Sequence, residues 1–379
     1  MEALFWSLAL VGHVALWVEL VNRLHGLGWR RSLIDALTMA CGAALVAAPA
    51  AGLWVFYLSG RSASEPAPLL LQAYAWLAIG ALAVVVASRV MLVCDPHRDK
   101  RTRLSLRETV DLAGRVGARE VCAAGVDRLA TLPGNELLKL SVEHRDTPID
   151  RLPHELDGLR VAHLTDLHMS GRLTQRYFEE VASLVADWSP DLVLLTGDIV
   201  ENTPRLEWVE PTLGPLALAG GAYFVLGNHD EKVDSGELRR RLAAAGWRDA
   251  GRAAYSVELR GHAVTVCGDE RPWFPAAEPP PERDALRLAL VHTPDRFAWA
   301  CRSGVDLALA GHNHGGQVCF PLIGPLLCPS RHGVRYAAGT FRVGGTVMHV
   351  GRGTGSLFPI RWNCPPELSL ITLRRGSGR

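Results

Sequence analysis

Three apolar stretches open the chain, and beyond them the hydrophobic pattern changes its period. Residues 3–21, 37–58 and 69–88 each approach the ~20 residues that a membrane-spanning helix needs. The first is the weakest, with His13 in mid-run and Glu19 near its end. The second carries no charge, and the third is nearly continuous until Arg89. A cleaved signal peptide would account for the first run alone, and no basic segment precedes it. The pattern predicts a transmembrane region over 1–94 with two or three helices. Residues 95–134 read as a basic, polar linker with helical character that stops at Pro133-Gly134.

From Asn135 onward short apolar runs alternate with turns. Strand-like runs lie at 137–142, 159–164, 191–195, 222–226, 263–267, 286–291, 305–310 and 346–350. Residues 176–188 instead place Tyr177, Val181, Leu184 and Val185 at helical spacing. This succession predicts an α/β domain over 135–379. A stretch at 271–283 holds five prolines with Trp273 and Phe274, and is too broken to be an element.

Charge orients the apolar runs. Arg23, Arg30 and Arg31 follow the first, and Arg98, Lys100, Arg101, Arg103 and Arg107 follow the third. Between the second and third stands only Arg61, opposed by Glu65. Basic flanks stay on the cytoplasmic side, so the expectation is a multi-pass protein of the inner or cell membrane with its N-terminus outside and its C-terminal domain in the cytoplasm. Net charge is +1, from 40 basic and 39 acidic residues, which offers no field favouring nucleic acid. Eight cysteines without C-x-x-C spacing argue against a zinc ribbon and a disulfide framework, and suit a reducing compartment.

Five of the strand-like runs end in residue types that bind metals: Asp166-Leu167-His168, Gly197-Asp198, Gly227-Asn228-His229-Asp230, His292 and Gly311-His312-Asn313-His314. Any one alone reads as a turn residue or a packed histidine. Five in order, each just after a short apolar run, read as one site, because open α/β sheets gather ligands at the carboxyl ends of their strands.

In that order the motifs resemble those of the calcineurin-like metallophosphoesterase superfamily. Leu156-Asp157-Gly158-Leu159-Arg160, Gly315-Gly316-Gln317 and Pro359-Ile360-Arg361-Trp362-Asn363-Cys364-Pro365-Pro366-Glu367 are similar to its membrane-associated YkuE/YaeI-type branch. The resemblance covers about residues 137 to 375 and leaves out the apolar runs. It implies two facing mixed sheets flanked by helices, and two divalent metal ions. Asp166, His168 and His314 would hold one ion, Asn228, His292 and His312 the other, and Asp198 would bridge them. A water held between the ions is the implied nucleophile, with no covalent enzyme intermediate. His229 is implied as catalytic, stabilising the transition state or protonating the leaving group, with Asp230 orienting it; a helix N-cap is the other reading of Asp230.

Mixed nitrogen and oxygen ligation suits Mn²⁺, Fe or Zn²⁺ rather than Ca²⁺, and Mn²⁺ is the expected metal. Gly197, Gly227 and Gly311 are expected to turn the backbone tightly beside the metals. Gly315-Gly316 either offers N–H groups to a phosphate or makes a plain turn. The expected activity is metal-dependent hydrolysis of a phosphodiester or pyrophosphate bond. Its substrate is expected to be lipid-linked, such as UDP-2,3-diacylglucosamine, with other soluble or lipid phosphate esters as the alternative. A catalytically silent binding protein would have lost at least one ligand type, and none is missing. The sequence sets no oligomeric state.

Overall fold

The computed structural model describes residues 1–58, 67–217, 221–275 and 286–376. Arg61 and Glu65, used above for orientation, and residues 276–283 of the proline-rich stretch lie outside them. Two compact units emerge, one of Met1–Pro96 with Pro329–Arg335 and the other of His97–Cys328 with Tyr336–Arg379.

The first unit holds helices α1 (Glu2–His25), α2 (Arg31–Leu58) and α3 (Leu69–Val93), and each contains a segment long and apolar enough to cross a membrane. His13, the residue that weakened the first run, turns towards its neighbours. Its Nε2–H donates to Leu45 O at 3.0 Å and its Nδ1 accepts from the Tyr74 hydroxyl at 2.5 Å. A buried polar group satisfied in this way carries no unpaired cost, and α1 is continuous through it. Gly12 lets α1 approach α3, since a Cβ there would stand 2.1 Å from Ala78 O. Gly12→Leu is expected to force the two apart and destabilise the detergent-solubilised chain by ~1–3 kcal/mol, the cost of an overpacked site. A melting curve that does not move would show that the helices do not pack there.

In the second unit a seven-stranded sheet runs in the order β1 (Arg103–Asp111), β2 (Lys139–Ile149), β15 (Glu367–Arg375), β3 (Arg160–Leu164), β4 (Leu192–Thr196), β5 (Ala222–Val225) and β6 (Trp247–Asp249). A six-stranded sheet follows the order β13 (Gly339–Val343), β14 (Thr346–Val350), β10 (Leu307–Ala310), β9 (Leu286–Val291), β8 (His262–Asp269) and β7 (Tyr255–Leu259). A separate two-stranded hairpin joins β11 (Cys319–Phe320) to β12 (Gly324–Pro325). Both large sheets are mixed, with parallel centres.

Leu192, Leu194 and Tyr223 of the first sheet share one buried cluster with Val266, Leu288 and Leu309 of the second. The helix Gln175–Trp188 covers the first sheet's outer face with Tyr177, Val181 and Val185 of the expected stripe, joined by Phe178, while Leu184 is only partly buried there. Phe297 and Ala300 pack on the outer face of the second sheet. The result is the expected α/β arrangement of two facing sheets between helices.

Strands β1, β6, β7, β11, β12, β13 and β15 are missing from the sequence reading, and two of these show why. The linker expected to be helical contains β1, an antiparallel edge strand on β2. Nearly all of β1 is exposed, so no buried face marks it, and its alternate Leu104, Leu106 and Val110 are outnumbered by polar neighbours; short helices such as Leu112–Val116 follow it. The other is β15, which lies between β2 and β3 and pairs with both. It is buried on both faces, and the polar Ser369 and Thr372 break its apolar run.

Candidate metal centre

Each motif begins where a strand stops: β3 before Asp166, β4 before Gly197-Asp198, β5 before Asn228, β9 before His292 and β10 before Gly311-His312. The two sheets are tied at this edge by His292 Nδ1, which donates to Thr196 O at 2.7 Å. Asp166, His168, Asp198, His312 and His314 all take left-handed backbone φ values of 52°, 47°, 53°, 71° and 50°. That conformation costs a residue with a Cβ ~1–2 kcal/mol. Five together mark a place where surrounding structure overrides local preference, as it does at functional sites.

Asp166, His168, Asp198 and His314 offer ligand atoms that all lie within 4.8 Å of one another, and so do Asp198, His292 and His312. Asp198 belongs to both groups. In the first, His168 Nε2 stands 2.8 Å from His314 Nε2, and Asp166 Oδ1 lies 3.3 Å from His314 Nε2. In the second, His292 Nε2 lies 3.2 Å from Asp198 Oδ2, 3.1 Å from Asn228 Oδ1 and 3.1 Å from His312 Nδ1. All seven residues expected as ligands are thus brought together.

The donor set fits cations. Asp166 and Asp198 are buried among imidazoles, and burying two carboxylates is unfavourable without positive charge beside them, which bound cations would supply. Burial, then the nearby His168 and Arg361, hold His314 well below the usual imidazole range. It is therefore neutral, the form whose lone pair binds metal. Burial opposes ionisation of Asp198, but His292, His229 and His168 outweigh it and hold the carboxyl well below its ordinary value.

Gly227 and Gly311 are needed for this convergence. A Cβ on Gly227 would stand 2.3 Å from Asp198 Oδ1 and 2.7 Å from His292 Nε2; one on Gly311 would stand 1.9 Å from Thr165 Oγ1 and 2.2 Å from Asp166 Oδ2. Gly227→Ala must displace Asp198 or His292. It is expected to lower bound metal and turnover together, measured by elemental analysis beside an activity assay; normal values of both would refute the tight contact. The Gly315 and Gly316 N–H groups donate to Ala337 O and Asn313 O, so these glycines make a turn and their N–H groups are already engaged.

His229 sits beside the first group, its ring centroid 4.8 Å from that of His168. The carboxylate it meets is Glu201, not the expected Asp230. Glu201 Oε1 lies 2.5 Å from both His229 Nδ1 and His168 Nδ1, and Lys232 pairs with Oε2. Glu201 thereby fixes the His168 ring through Nδ1 and leaves its Nε2 to the ligand group, while His229 Nδ1 is shared between Glu201 and Lys232 Nζ, 2.6 Å away. Burial lowers the His229 pKa, and Asp198 and Glu201 pull against it. Asp230, fully buried, accepts instead from the backbone N–H groups of Ile199, Val200 and Gly227 at 2.8, 3.1 and 2.8 Å. It thereby ties the loop after β5 to the loop after β4. Glu201 had a faint sequence signal, a carboxylate three residues after Asp198 on the same loop.

Two further neighbours complete the surroundings. Trp273 places its ring 5.1 Å from His312 and 5.5 Å from His292. Arg361, wholly buried, donates from Nη1 to His314 O at 3.1 Å. His163 and His349, which match no motif, are buried and bonded to Thr196, Thr340 and Ser369.

Strands converging on two buried Asp/His groups define a class, and sequence comparison agrees. The family described as calcineurin-like phosphoesterase matches residues 159–316. The chain is 31% identical over 221 residues to Phosphodiesterase YaeI of Escherichia coli strain K12, covering 56% of this chain and 82% of that one. It is 29% identical over 234 residues to the metallophosphoesterase YkuE of Bacillus subtilis strain 168, covering 59% and 82%. A Bos taurus transmembrane protein with metallophosphoesterase domain aligns at 22% identity over 415 residues, covering 97% and 87%. The chain belongs to the calcineurin-like metallophosphoesterase superfamily. It is a metal-dependent phosphoesterase, of a family that uses a dinuclear divalent metal site.

Proposed function

We propose that the chain is a membrane-anchored phosphodiesterase or pyrophosphatase, with residues 1–94 as the anchor and 135–379 as the catalytic domain, whose first sheet also takes the edge strand β1 from the 95–134 connection. The observation that carries this reading is the pair of buried ligand groups sharing Asp198. Asp166, His168 and His314 would hold one ion, Asn228, His292 and His312 the other, with Asp198 common to both. When bound, the two ions supply positive charge that stabilises the phosphoryl oxygens and acidifies the attacking water. Mn²⁺ suits the mixed donor set.

The chain's own residues supply the rest. Glu201 fixes the His168 ring through Nδ1, so that Nε2 faces the ligand group. Glu201 also faces His229 Nδ1, and its charge favours the imidazolium form, whose Nε2–H would give its proton to the departing oxygen and leave a neutral ring. Lys232 steadies the Glu201 charge at the rim. Trp273 lines the other side, beside the second group.

Three helices fit to span a membrane support a lipid-linked substrate, and UDP-2,3-diacylglucosamine, cleaved at its pyrophosphate, is the specific substrate proposed. The basic flanks support a cytoplasmic catalytic domain. A fusion after Arg375 is expected to give a fluorescent green fluorescent protein and an inactive alkaline phosphatase; the reverse pattern would place the domain outside. The activity itself is tested by hydrolysis of bis-p-nitrophenyl phosphate by the full chain with Mn²⁺ and with a chelator. Metal-dependent release of nitrophenol is expected, and none with added Mn²⁺ would refute the reading.

A further inference from the structure

Beside the metal centre the second unit carries large apolar side chains in solvent. The turn His314–Gly316 leads through Gln317 and Val318 into the β11–β12 hairpin, whose tip is Pro321-Leu322-Ile323. Leu322 is fully exposed and Ile323 is 56% exposed. Val318 bridges Trp362, and Cys319 N donates to Trp362 O at 2.9 Å, so the hairpin and residues 358–362 form one surface. Phe320 meets Trp362 edge-on at 5.7 Å between centroids. On that segment Phe358, Ile360 and Trp362 are exposed as well.

Alternation explains how this surface coexists with the site. Between exposed Ile360 and Trp362, Arg361 turns inward to hold His314. The same few residues therefore show apolar groups to solvent and support the metal centre from behind. At the edge stands exposed Arg172, whose Nη1 donates to Leu357 O at 2.8 Å.

Contiguous exposed apolar groups of this size mark a docking surface. Aliphatic and aromatic side chains edged by a basic residue are what a lipid interface takes. The partner is also set by the chain itself: α1, α2 and α3 each have a segment fit to cross a bilayer, which tethers the domain to one at high effective concentration.

We infer that the β11–β12 hairpin and residues 358–362 dock on the lipid bilayer, with Leu322 and Ile323 entering the acyl region and the metal centre held near the headgroups. The occupant is the lipid surface and not a second copy or a protein partner. The docking stands on the exposed surface and the three helices; the reaction carried out there rests on the phosphoesterase reading above.

The test uses the full chain in nanodiscs. Leu322→Cys and, as control, the exposed Arg240→Cys are labelled with bimane, with the signal of identically treated wild-type chain subtracted. Phosphatidylcholine carrying a nitroxide on its acyl chain is the quencher. The label at position 322 is expected to lose most of its fluorescence while that at 240 keeps its own. Equal quenching at the two positions would overturn the inference, including the case in which another protein covers the tip. Hydrolysis of bis-p-nitrophenyl phosphate by the same samples reports on the phosphoesterase reading separately, so failure of either can be told from failure of the other.

Discussion

Asp198→Asn is expected to lose bound metal and turnover together, leaving no measurable hydrolysis. Asp198 is the one carboxylate in both ligand groups. The amide keeps the shape of the side chain, and its oxygen can still accept from His229 N, a bond of 2.8 Å in the native chain. The fold should therefore survive. What disappears is the negative charge that lies 3.2 Å from His292 Nε2 and 3.7 Å from His168 Nε2. Elemental analysis and an activity assay on the same folded sample check this. A variant that keeps two ions and full turnover would remove Asp198 from its bridging role.

His229→Ala separates catalysis from metal binding. His229 touches Glu201 and Lys232 and is not one of the seven expected ligands. Its loss should leave metal content near normal while kcat falls by ~10²–10⁴-fold, the range for a lost general acid. Glu201→Gln should lower kcat less, by ~10–100-fold, as for a partner of a metal-ligating histidine. The sign of its pH effect also follows. The Glu201 carboxylate raises the His229 pKa against the lowering by burial. Without that charge His229 loses its proton at lower pH, so the alkaline limb of the kcat profile should move down. Loss of metal in His229→Ala would instead make this histidine a ligand, and an alkaline limb that moves up would assign the limb to another group.

Much of this site is legible in the sequence because its ligands sit at strand ends. A short apolar run followed at once by Asp-x-His, Asp, Asn-His or His-x-His leaves few places for those side chains except one edge of a sheet. The buried strands β4, β5 and β10 announce themselves by apolar runs, and β3 and β9 by runs broken only by His163 and Arg287. What stays hidden depends on long-range partners. The edge strand β1 has no buried face to give it a pattern. Asp230 reads as the partner of His229 because the two are adjacent in sequence, yet its carboxylate is drawn away by three backbone N–H groups of two separate loops. Glu201 takes its place from across the site, and no spacing rule distinguishes it from a surface carboxylate. The eight cysteines are scattered in sequence and all are free thiols, yet Cys319 and Cys364 come to the same turn, donating to Gly315 O at 3.2 Å and His314 O at 3.3 Å.

The most direct measurement is a metal titration of the full chain after chelation and dialysis, following bound Mn²⁺ per chain and hydrolysis of bis-p-nitrophenyl phosphate in the same samples. Two ligand groups that share one carboxylate are expected to give no hydrolysis without metal, and activity that reaches its plateau at about two ions per chain. Hydrolysis at full rate by the stripped protein, or a plateau at a single ion, would contradict the two-ion site.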